Sequence, residues 1–431
     1  MLSAMRRRFL ISTAIADLIA LFVGVLVASL SVFGTAPWAV DLAGNNSLWP
    51  LIGFYIIGGF IGSAVTTQSW QGSAPRPTYG RALTIVTVGV IVASLLLIAT
   101  GAYRSRVFFA VVPVVWLLGA LAHRAVRRRR PWTESMIVIS TEKGLIDDLR
   151  NTPHAHIETV LDPTESHPNG PPDQGISVVV DLRAVLSEGM AQYVSSCAVG
   201  GANVRAFTSV YEEHTGRLPL VHLSEGWELT SPVSKTSPYQ VVKSIIEPGI
   251  VALLTPLWVP LAALCALLVK LDSPGPVVFH QQRVGRHGEV FTLYKFRTMV
   301  ADADAAGAKM TDLNDERITR AGRLLRRFRA DEIPQLFNVL KGDLNLVGPR
   351  PEQVPMVEQF SRQIPFYAQR HLIRPGVTGW AQVNYGYADD EADTVEKLAY
   401  DLYYVKNVSP WIDVHILGMS IWTVLSGFGH Q

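Results

Sequence analysis

The chain has 431 residues, of which 48% are hydrophobic and 17% are charged, and its formal net charge is +2. Soluble domains carry about 25% charged residues, so this balance favours a membrane protein and offers no basic field for nucleic acid. The two cysteines, Cys197 and Cys265, lie far apart and have neither metal-ligand spacing nor a disulfide framework.

Four apolar stretches fill the first part of the chain, and each is close to the ~20 residues that a helix needs to cross a bilayer. They cover residues 9–33, 48–65, 82–100 and 107–121. Arginines flank the first and last stretches, and because arginine prefers the cytoplasmic side, an even number of spans places both groups inside the cell. The groups are Arg6, Arg7 and Arg8 before the first stretch and Arg124, Arg127, Arg128, Arg129 and Arg130 after the last; Arg76 and Arg81 agree with this topology, whereas Arg104 and Arg106 oppose it.

Asp17 lies within the first predicted span. A charge inside a membrane segment is unfavourable and often functional. The alternative is a structural contact between two helices, and the sequence leaves both interpretations open.

Residues 131–235 have the composition of a soluble domain. Three β-rich runs, Met136–Ser140, Ile176–Leu182 and Asn203–Ser209, are separated by helical segments such as Lys143–Asn151. This alternation predicts a small Rossmann-like parallel sheet. A dinucleotide site needs a glycine-rich turn after the first strand, and the turn here, STEKG, has one glycine, so the pattern favours a scaffolding or regulatory domain.

A further apolar segment, residues 241–270, is interrupted by Pro248, Pro256 and Pro260. A proline inside a helix removes a hydrogen bond and kinks the helix. The segment therefore either spans the bilayer as a kinked helix or enters it, bends near Pro256 or Pro260, and leaves on the same side.

The next segment combines a β-hairpin and an arginine-rich helix. The hairpin is predicted to close on residues 295–298, and an amphipathic helix follows over residues 315–330. The apolar positions at helical spacing are Ile318, Ala321, Leu324, Leu325 and Phe328, and the remaining surface carries Arg317, Arg320, Arg323, Arg326, Arg327 and Arg329. Such a run is usually a solvated face, but because it has almost no acidic partners, phosphate groups or anionic lipid heads would complement it.

Two adjacent carboxylates, Asp331 and Glu332, follow the arginines in the sequence DEIPQLFNVLKG. In a structural interpretation Asp331 caps a new helix, Pro334 lies in its first turn, and Lys341 and Gly342 end it. In a chemical interpretation the free N–H groups of the helix start attract phosphate and favour an ionised carboxylate, hence a nucleophile or a metal ligand. Adjacent helical residues point in different directions, so one carboxylate would react or bind metal while the other orients.

Three segments carry a family resemblance: QRVGRHGEVFTLYKFRTM, DEIPQLFNVLKGDLNLVGPRPE and RPGVTGWAQVNYG. From near Val241 to Phe428 the chain resembles the bacterial sugar transferases, which are monotopic polyprenyl-phosphate hexose-1-phosphate transferases. Its front half is similar to the long form of the family. The expected fold is an α/β membrane protein with a four-helix transmembrane bundle at residues 1–130, a small Rossmann-like parallel-sheet domain at 131–235, and an α-rich monotopic catalytic domain at 236–431 with a re-entrant membrane helix at 241–270.

The resemblance implies a phosphoglycosyl transferase that moves a hexose-1-phosphate from a UDP-sugar to polyprenyl (undecaprenyl) phosphate and releases UMP, at the start of exopolysaccharide, capsule or O-antigen assembly. The family's catalytic, Mg²⁺-binding dyad matches Asp331 and Glu332, which implies a covalent phosphosugar intermediate on Asp331. Family substrate- and phosphate-binding positions match Lys295, Arg297, Arg326, Arg350, Pro351, Arg374, Gln382 and Asp401.

Several expectations about the membrane follow from the same resemblance. The family's re-entrant helix opens with Lys-Arg and an aspartate and breaks at Ser-Pro; this chain has Lys243-Ser244, Glu247 and Val259-Pro260 there, so Pro260 keeps the kink without the serine. UDP-sugars are cytoplasmic, so we expect segment 241–270 to be re-entrant and the catalytic domain to face the cytoplasm at the bacterial inner membrane. The long form implies a homodimer. The stretch 411–428 is expected to be either an interfacial helix or ordinary core packing.

Two alternatives stay open at this stage. In the first, the lipid phosphate attacks directly and Asp331 serves only as a metal ligand. In the second, the protein is a non-catalytic membrane scaffold for polysaccharide assembly. An inactive member would have lost a dyad carboxylate or the arginines, and this chain keeps both.

Overall fold

The structure is a computed structural model, and it describes residues 2–40, 48–68, 79–100, 105–128, 133–165, 170, 172, 175–223, 238–300, 317–385 and 391–426. The chain divides into two compact units, Met1–Val210 and Tyr211–Gln431. This division falls ahead of the boundary that the sequence predicted between residues 235 and 236.

Four apolar helices begin the first unit, and each contains one of the predicted apolar stretches. They are α1 (Leu2–Phe33), α2 (Trp49–Gln68), α3 (Tyr79–Thr100) and α4 (Arg106–Arg128). Windows in α1, α3 and α4 are long and apolar enough to cross a membrane, whereas α2 is apolar over the shorter range Trp49–Ala64. Tyr55, Phe108 and Trp116 are buried in their common core.

The charge inside the first span has a buried partner. Arg124 donates from Nη1 to Asp17 Oδ1 over 2.5 Å and from Nη2 to Asp17 Oδ2 over 2.8 Å, which joins α4 to α1. Arg124 is fully buried, so it belongs to the bundle interior and not to an exposed arginine group. The side chains of Arg6, Arg7, Arg8, Arg76, Arg104, Arg128, Arg129 and Arg130 lie outside the described residues, and the predicted topology stays a prediction.

A four-stranded parallel sheet completes the first unit, with strand order β2-β1-β3-β4. Its elements are β1 (Glu134–Ile139), α5 (Lys143–Arg150), β2 (Ala155–Leu161), β3 (Ser177–Val180), α6 (Glu188–Val199) and β4 (Asn203–Ala206). Helix α7 (Phe207–Thr215) follows directly and continues past Val210, where this unit ends. The sequence did not predict β2, an edge strand in which the polar residues His156 and Glu158 interrupt the apolar pattern. The predicted strand Asn203–Ser209 was too long, because helix α7 begins at Phe207.

The second unit contains the remaining elements. They are α8 (Pro238–Leu253), α9 (Thr255–Asp272), β5 (Val278–Val284), β6 (Val290–Phe296), α10 (Arg320–Arg327), α11 (Gln335–Lys341), β7 (Asn345–Val347), α12 (Val354–Gln363), β8 (Gly376–Thr378), α13 (Trp380–Asn384), α14 (Glu391–Lys406) and α15 (Pro410–Ser426). Residues that the sequence assigned to the sheet domain pack here, since Glu212 pairs with Lys406 and Arg217 pairs with Glu396.

The apolar segment after residue 238 is broken at one point. Helix α8 ends at Leu253, and α9 starts at Thr255 with Pro256 in its first turn. The carbonyl of Val251 accepts hydrogen bonds from the Thr255 hydroxyl, at 3.3 Å, and from the Trp258 indole, at 3.0 Å. The break therefore lies at Pro256, and a hydroxyl residue precedes that proline.

The alignment of the break with Val259-Pro260 was wrong, because α9 continues through Pro260. Helix α15 packs partly in the core, since Ile416 is buried there, whereas Trp422 is exposed; an interfacial position of this helix stays a prediction. Phe428, the predicted end of that stretch, lies outside the described residues.

We expect substitution of one partner of the Asp17–Arg124 pair to destabilise the bundle. Asp17→Leu leaves the Arg124 guanidinium buried and unpaired, which should reduce the free energy of unfolding by about 3–5 kcal/mol. Thermal unfolding of the full chain in detergent measures this change. The double variant Asp17→Leu/Arg124→Met removes both charges and should recover most of the stability; equal instability of both variants would contradict a role for the ion pair.

Candidate active site

An antiparallel hairpin positions the first predicted site residues. Strands β5 and β6 pair from Val278–Phe296 to Val284–Val290, as the sequence predicted. The Arg297 backbone N–H continues the ladder by donating to Val277 O over 2.9 Å. Lys295 and Arg297 therefore lie at the open end of the hairpin. Lys295 is near the end of β6, and Arg297 directly follows that strand.

The arginine-rich helix α10 packs closely against this hairpin end. Thr319 caps the helix by accepting a hydrogen bond from Gly322 N over 3.0 Å. A Cβ on Gly322 would lie 2.1 Å from Thr298 O, so only glycine permits this approach. Arg326 Nε donates to Thr298 Oγ1 over 2.9 Å, which fixes one of the predicted site arginines against the hairpin.

The apolar face predicted for this helix is only partly correct. Leu325 is buried with Phe296 and Val269, but Leu324 is 49% and Phe328 is 52% exposed. The helix is shorter than predicted, and residues 315 and 316 lie outside the described residues.

The two adjacent carboxylates lie in a tight turn and not at a helix cap. Arg329 adopts a left-handed conformation with φ 51°, and a single 3₁₀ turn, Ala330–Glu332, follows it. Helix α11 begins only at Gln335, so the prediction that Asp331 caps that helix was wrong. The predicted stop is confirmed, because α11 ends at Lys341 and Gly342 has φ 84°.

Glu332 is buried and surrounded by cations. Its Oε1 atom lies 3.3 Å and 3.4 Å from Arg350 Nη1 and Nη2, and 3.6 Å from Lys295 Nζ. Burial alone would raise the pKa of Glu332, but the charges of Arg350, Lys295 and Arg329 outweigh it and lower the pKa to about 2. Glu332 is therefore ionised at neutral pH.

Asp331 has the opposite electrostatic balance. Burial raises its pKa, and so does the neighbouring Glu332 charge, while Lys295, Arg326 and Arg350 act in the other direction without cancelling the rise. Burial and the Glu332 charge thus oppose the ionised Asp331 that the sequence led us to expect, and that expectation stays a prediction. None of the described residues donates a hydrogen bond to the Asp331 carboxylate, so its oxygens are available to a ligand.

The loop Gly348-Pro349-Arg350-Pro351 presents Arg350 to Glu332. Its strand, β7, pairs in parallel with β8, and a Cβ on Gly376 would lie 2.0 Å from Gly348 N, so glycine is required there. Arg370 Nη2 donates to Arg350 O over 2.9 Å, and Arg283 Nη1 donates to Pro351 O over 3.0 Å. The carbonyl of Pro351 therefore helps to hold the loop in place by accepting the hydrogen bond from Arg283.

A buried ionic network lies behind this loop. Arg370 Nη2 donates to Asp401 Oδ2 over 2.6 Å, and Glu352 carboxylate oxygens lie 3.9 Å from Arg370, 3.5 Å from Lys397 and 3.6 Å from Arg283. The described contacts therefore connect Asp401, a predicted substrate-binding residue, to the dyad only through Arg370 and the Arg350 backbone.

Sequence reasoning did not single out Arg283, Glu352, Lys397 or Arg370. Arg283 and Glu352 stand inside the quoted QRVGR and GPRPE motifs, which could have identified them. Arg370 and Lys397 lie outside the quoted motifs.

The other predicted site residues lie in three further places. Arg297 donates from Nη2 to Ser273, and its buried Nε and Nη1 atoms have no hydrogen-bond partner among the described residues. Both side-chain amide atoms of Gln382 are likewise buried without a described partner. Arg374 Nη1 lies 3.9 Å from where a Cβ on Gly342 would stand, at the end of α11 away from the dyad.

Two residues expected at the membrane surface face the protein interior. Lys243 and Glu247, on α8, are 3% and 7% exposed and lie 3.5 Å apart. Lys243 is bonded to Tyr404 and Asp413, so it attaches α8 to α14 and α15 within the second unit. Pro260 lies on the exposed side of α9.

Comparisons with known proteins match the part of the chain that contains these residues. The sequence model of the family described as bacterial sugar transferase matches residues 238–427. A UDP-N-acetylgalactosamine-undecaprenyl-phosphate N-acetylgalactosaminephosphotransferase of Aeromonas hydrophila is 44% identical over 257 residues, which are 59% of this chain and 60% of the relative. A UDP-glucose:undecaprenyl-phosphate glucose-1-phosphate transferase of Xanthomonas campestris pv. campestris is 39% identical over 219 residues, 49% of this chain and 44% of the relative.

A shorter relative is covered over most of its length. An exopolysaccharide production protein of Rhizobium leguminosarum bv. phaseoli is 45% identical over 164 residues, which are 37% of this chain and 82% of the relative. The chain spans less than two thirds of the length of the two larger relatives.

We predict that Asp401→Asn acts on stability more than on substrate affinity. The change leaves Arg370 without its closest charged partner in a buried site, which should reduce the free energy of unfolding by about 3 kcal/mol or more. Chemical denaturation of the full chain in detergent measures the loss. The control is Glu396→Gln, which removes a carboxylate from the more exposed Arg217–Glu396 ion pair. An unchanged stability together with a large rise in KM would instead place Asp401 in contact with substrate.

Proposed function

The chain belongs to the bacterial sugar transferase family, and on that premise we propose that it transfers a hexose-1-phosphate from a UDP-sugar to undecaprenyl phosphate. The observation that carries the proposal is the pair Asp331 and Glu332 beside Lys295, Arg326 and Arg350. Phosphoryl transfer depends mainly on positioning and on neutralising charge, and guanidinium groups bind phosphate in a bidentate manner. Two anionic substrates can meet at such a cationic site with less repulsion.

We propose that Asp331 is the nucleophile. A carboxylate oxygen of Asp331 attacks the phosphorus that carries the sugar, the bond from that phosphorus to the bridging oxygen breaks, and UMP leaves with that oxygen. An oxygen of undecaprenyl phosphate then attacks the same phosphorus, which releases the lipid diphosphate sugar and restores the carboxylate. The absence of a described hydrogen-bond donor to Asp331 supports this role, because a nucleophile needs a free lone pair.

Glu332 has a different role in this proposal. Its Oε1 atom is occupied by Arg350 and Lys295, so it orients the two cations. Those cations would contact the diphosphate of the donor. This division of roles agrees with the expectation that adjacent residues serve different functions.

The residues present fit a magnesium ion. Mg²⁺ prefers oxygen ligands and usually takes one or two carboxylates together with substrate phosphates. Asp331, whose carboxylate accepts no described hydrogen bond, and the second carboxylate oxygen of Glu332 would hold the ion. A bound Mg²⁺ would neutralise charge on the phosphates, which the nearby cations do only in part.

We further propose that α8 and α9 form a re-entrant hairpin, with the catalytic domain on the cytoplasmic face of the inner membrane, and contacts at the two ends of the hairpin support its re-entrant course. Residues at the start of α8 bond to α15, while Asp272, at the end of α9, accepts a hydrogen bond from Ala321 N over 2.8 Å. A hydrocarbon core about 30 Å thick would separate these ends if the segment spanned it. Exposed apolar side chains cover the rest of the hairpin, including Ile245, Leu253, Leu257, Leu264 and Leu271.

Relatives named for N-acetylgalactosamine and for glucose define the first donors to test, and a homodimer remains the proposed assembly. We expect Asp331→Asn to lower kcat by on the order of 10³-fold or more, since an amide is a poor nucleophile. The measurement is UMP release by the full chain in lipid nanodiscs with UDP-N-acetylgalactosamine or UDP-glucose and undecaprenyl phosphate. Glu289→Gln, an exposed carboxylate on the same hairpin, is the control.

Mass spectrometry without the lipid acceptor separates the two mechanisms. A phosphosugar adduct on the peptide containing Asp331 is expected, and Asp331→Asn should lose it. Turnover without any adduct would favour direct attack by the lipid phosphate, and undiminished turnover by Asp331→Asn would contradict a catalytic dyad.

The pH profile should depend on Lys295. Its charge lowers the pKa of both dyad carboxylates, so Lys295→Met should raise them. Because the reaction needs ionised carboxylates, activity is lost as the pH falls through these pKa values, and the acidic limb of kcat/KM should move to higher pH. The exposed Lys341→Met serves as control; coincident acidic limbs for all three proteins would argue against this coupling.

A further inference from the structure

Helix α8 has a buried face that carries two charged residues. Lys243, Glu247 and Val251 follow one another at four-residue spacing and are all buried, so they share one helix face. The opposite side carries exposed apolar residues such as Ile245, which is 70% exposed. Apolar residues could pack on this buried face equally well, so stability alone does not explain why it carries a charged pair.

The ammonium group of Lys243 donates three hydrogen bonds to other elements of the second unit. Its Nζ atom donates to Val347 O over 2.8 Å, to Tyr404 Oη over 2.7 Å and to Asp413 Oδ2 over 2.5 Å. Tyr239 and Tyr404 also donate to the Asp413 carboxylate, each over 2.6 Å. The group joins α8, β7, α14 and α15 through one charge.

Glu247 binds the same short strand. Its Oε2 atom accepts a hydrogen bond from Leu346 N over 2.9 Å. Strand β7 is only three residues long, so these side-chain contacts from α8 supplement its pairing with β8. Hydrogen bonds are directional, and two of them from one helix, to Leu346 N and to Val347 O, fix the place and the orientation of this part of the strand.

The strand held in this way leads directly to the candidate active site. Three residues after Val347 the chain reaches Arg350, whose guanidinium contacts Glu332 Oε1. The intervening Gly348 and Pro349 both bond to β8, since Gly348 N donates to Thr378 O and Pro349 O accepts from Gly376 N, each over 2.9 Å. A displacement at Val347 would therefore be passed to Arg350 through a short, constrained segment.

We propose that Lys243 and Glu247 are positioning residues that set Arg350 against Glu332 by holding strand β7. The effect on catalysis rests on the proposed function, whereas the effect on the strand does not. The hairpin helix whose opposite face is apolar and exposed thus also sets the geometry of the reacting centre.

The test uses the full chain in phosphatidylethanolamine–phosphatidylglycerol nanodiscs. Glu247→Leu removes the acceptor for Leu346 N, whereas Glu247→Gln keeps an acceptor oxygen of similar reach and should rescue the function. Lys243→Met keeps the aliphatic stem without the charge, and Lys243→Met/Asp413→Asn also neutralises the carboxylate left behind, in case the single variant does not fold. Ser244→Ala is the matched control, because among the described residues the Ser244 hydroxyl bonds only to Val241 O of its own helix.

Hydrogen exchange is the first readout and needs no activity. Peptides covering residues 346–352 should exchange faster in Glu247→Leu and Lys243→Met, while peptides from the sheet of the first unit should be unchanged. Glu247→Gln and Ser244→Ala should match the wild-type chain. Unchanged exchange at residues 346–352 in the folded variants would overturn the proposal.

The second readout is steady-state kinetics with whichever of UDP-N-acetylgalactosamine and UDP-glucose is turned over. We expect kcat to fall about 10- to 100-fold in Glu247→Leu and Lys243→Met, with KM for the nucleotide sugar within about threefold of the wild type. A merely structural role would reduce the folded amount without this split and without rescue by Glu247→Gln. If the wild-type chain turns over neither donor, the proposed function fails, and the exchange result alone decides the positioning of β7.

Discussion

The structure depends on one electrostatic constraint: two adjacent carboxylates can share a buried turn only if cations are fixed beside them. Glu332 satisfies this condition through Arg350 and Lys295, and its ionised state follows from them. Asp331 receives less of this compensation, which leaves it the more easily protonated and the less engaged partner. The surrounding elements position the cations beside the carboxylates. Strand β6 carries Lys295, α10 carries Arg326, and the loop after β7 carries Arg350.

The cations themselves require support, since a buried arginine that is free to move would not hold a carboxylate in place. That support comes from the main chain: Arg370 and Arg283 bind the carbonyls of Arg350 and Pro351, and Glu352 and Asp401 neutralise these two arginines in turn. In this network each buried arginine is paired with a carboxylate, and none of these described pairs involves Asp331. Trp380, by contrast, stacks on Tyr403 and donates to Gly216 O, so its place in the motif reflects packing.

The sequence was informative where a single local signal decides the structure. Apolar length identified the helices of the first unit, alternation identified three of four sheet strands, and Gly342 marked the end of α11. It was misleading where the local pattern does not decide the structure. Arg329 takes a left-handed conformation and α11 starts only at Gln335, and Leu324 follows the apolar spacing yet remains exposed. The roles of Lys243 and Arg370 could not be deduced, because their partners lie far along the chain and no spacing rule connects them.

The long-range bonds of Lys243 have a consequence for biosynthesis. Its acceptors on Val347, Tyr404 and Asp413 are encoded 104, 161 and 170 residues later, so none exists when the hairpin leaves the ribosome. Until translation nears its end, the ammonium has only Glu247 as a neighbour on the same helix. Contacts separated this widely form late because the intervening chain must first be ordered. The polar side of α8 therefore cannot be fully paired until helix α15, which carries Asp413, has been made.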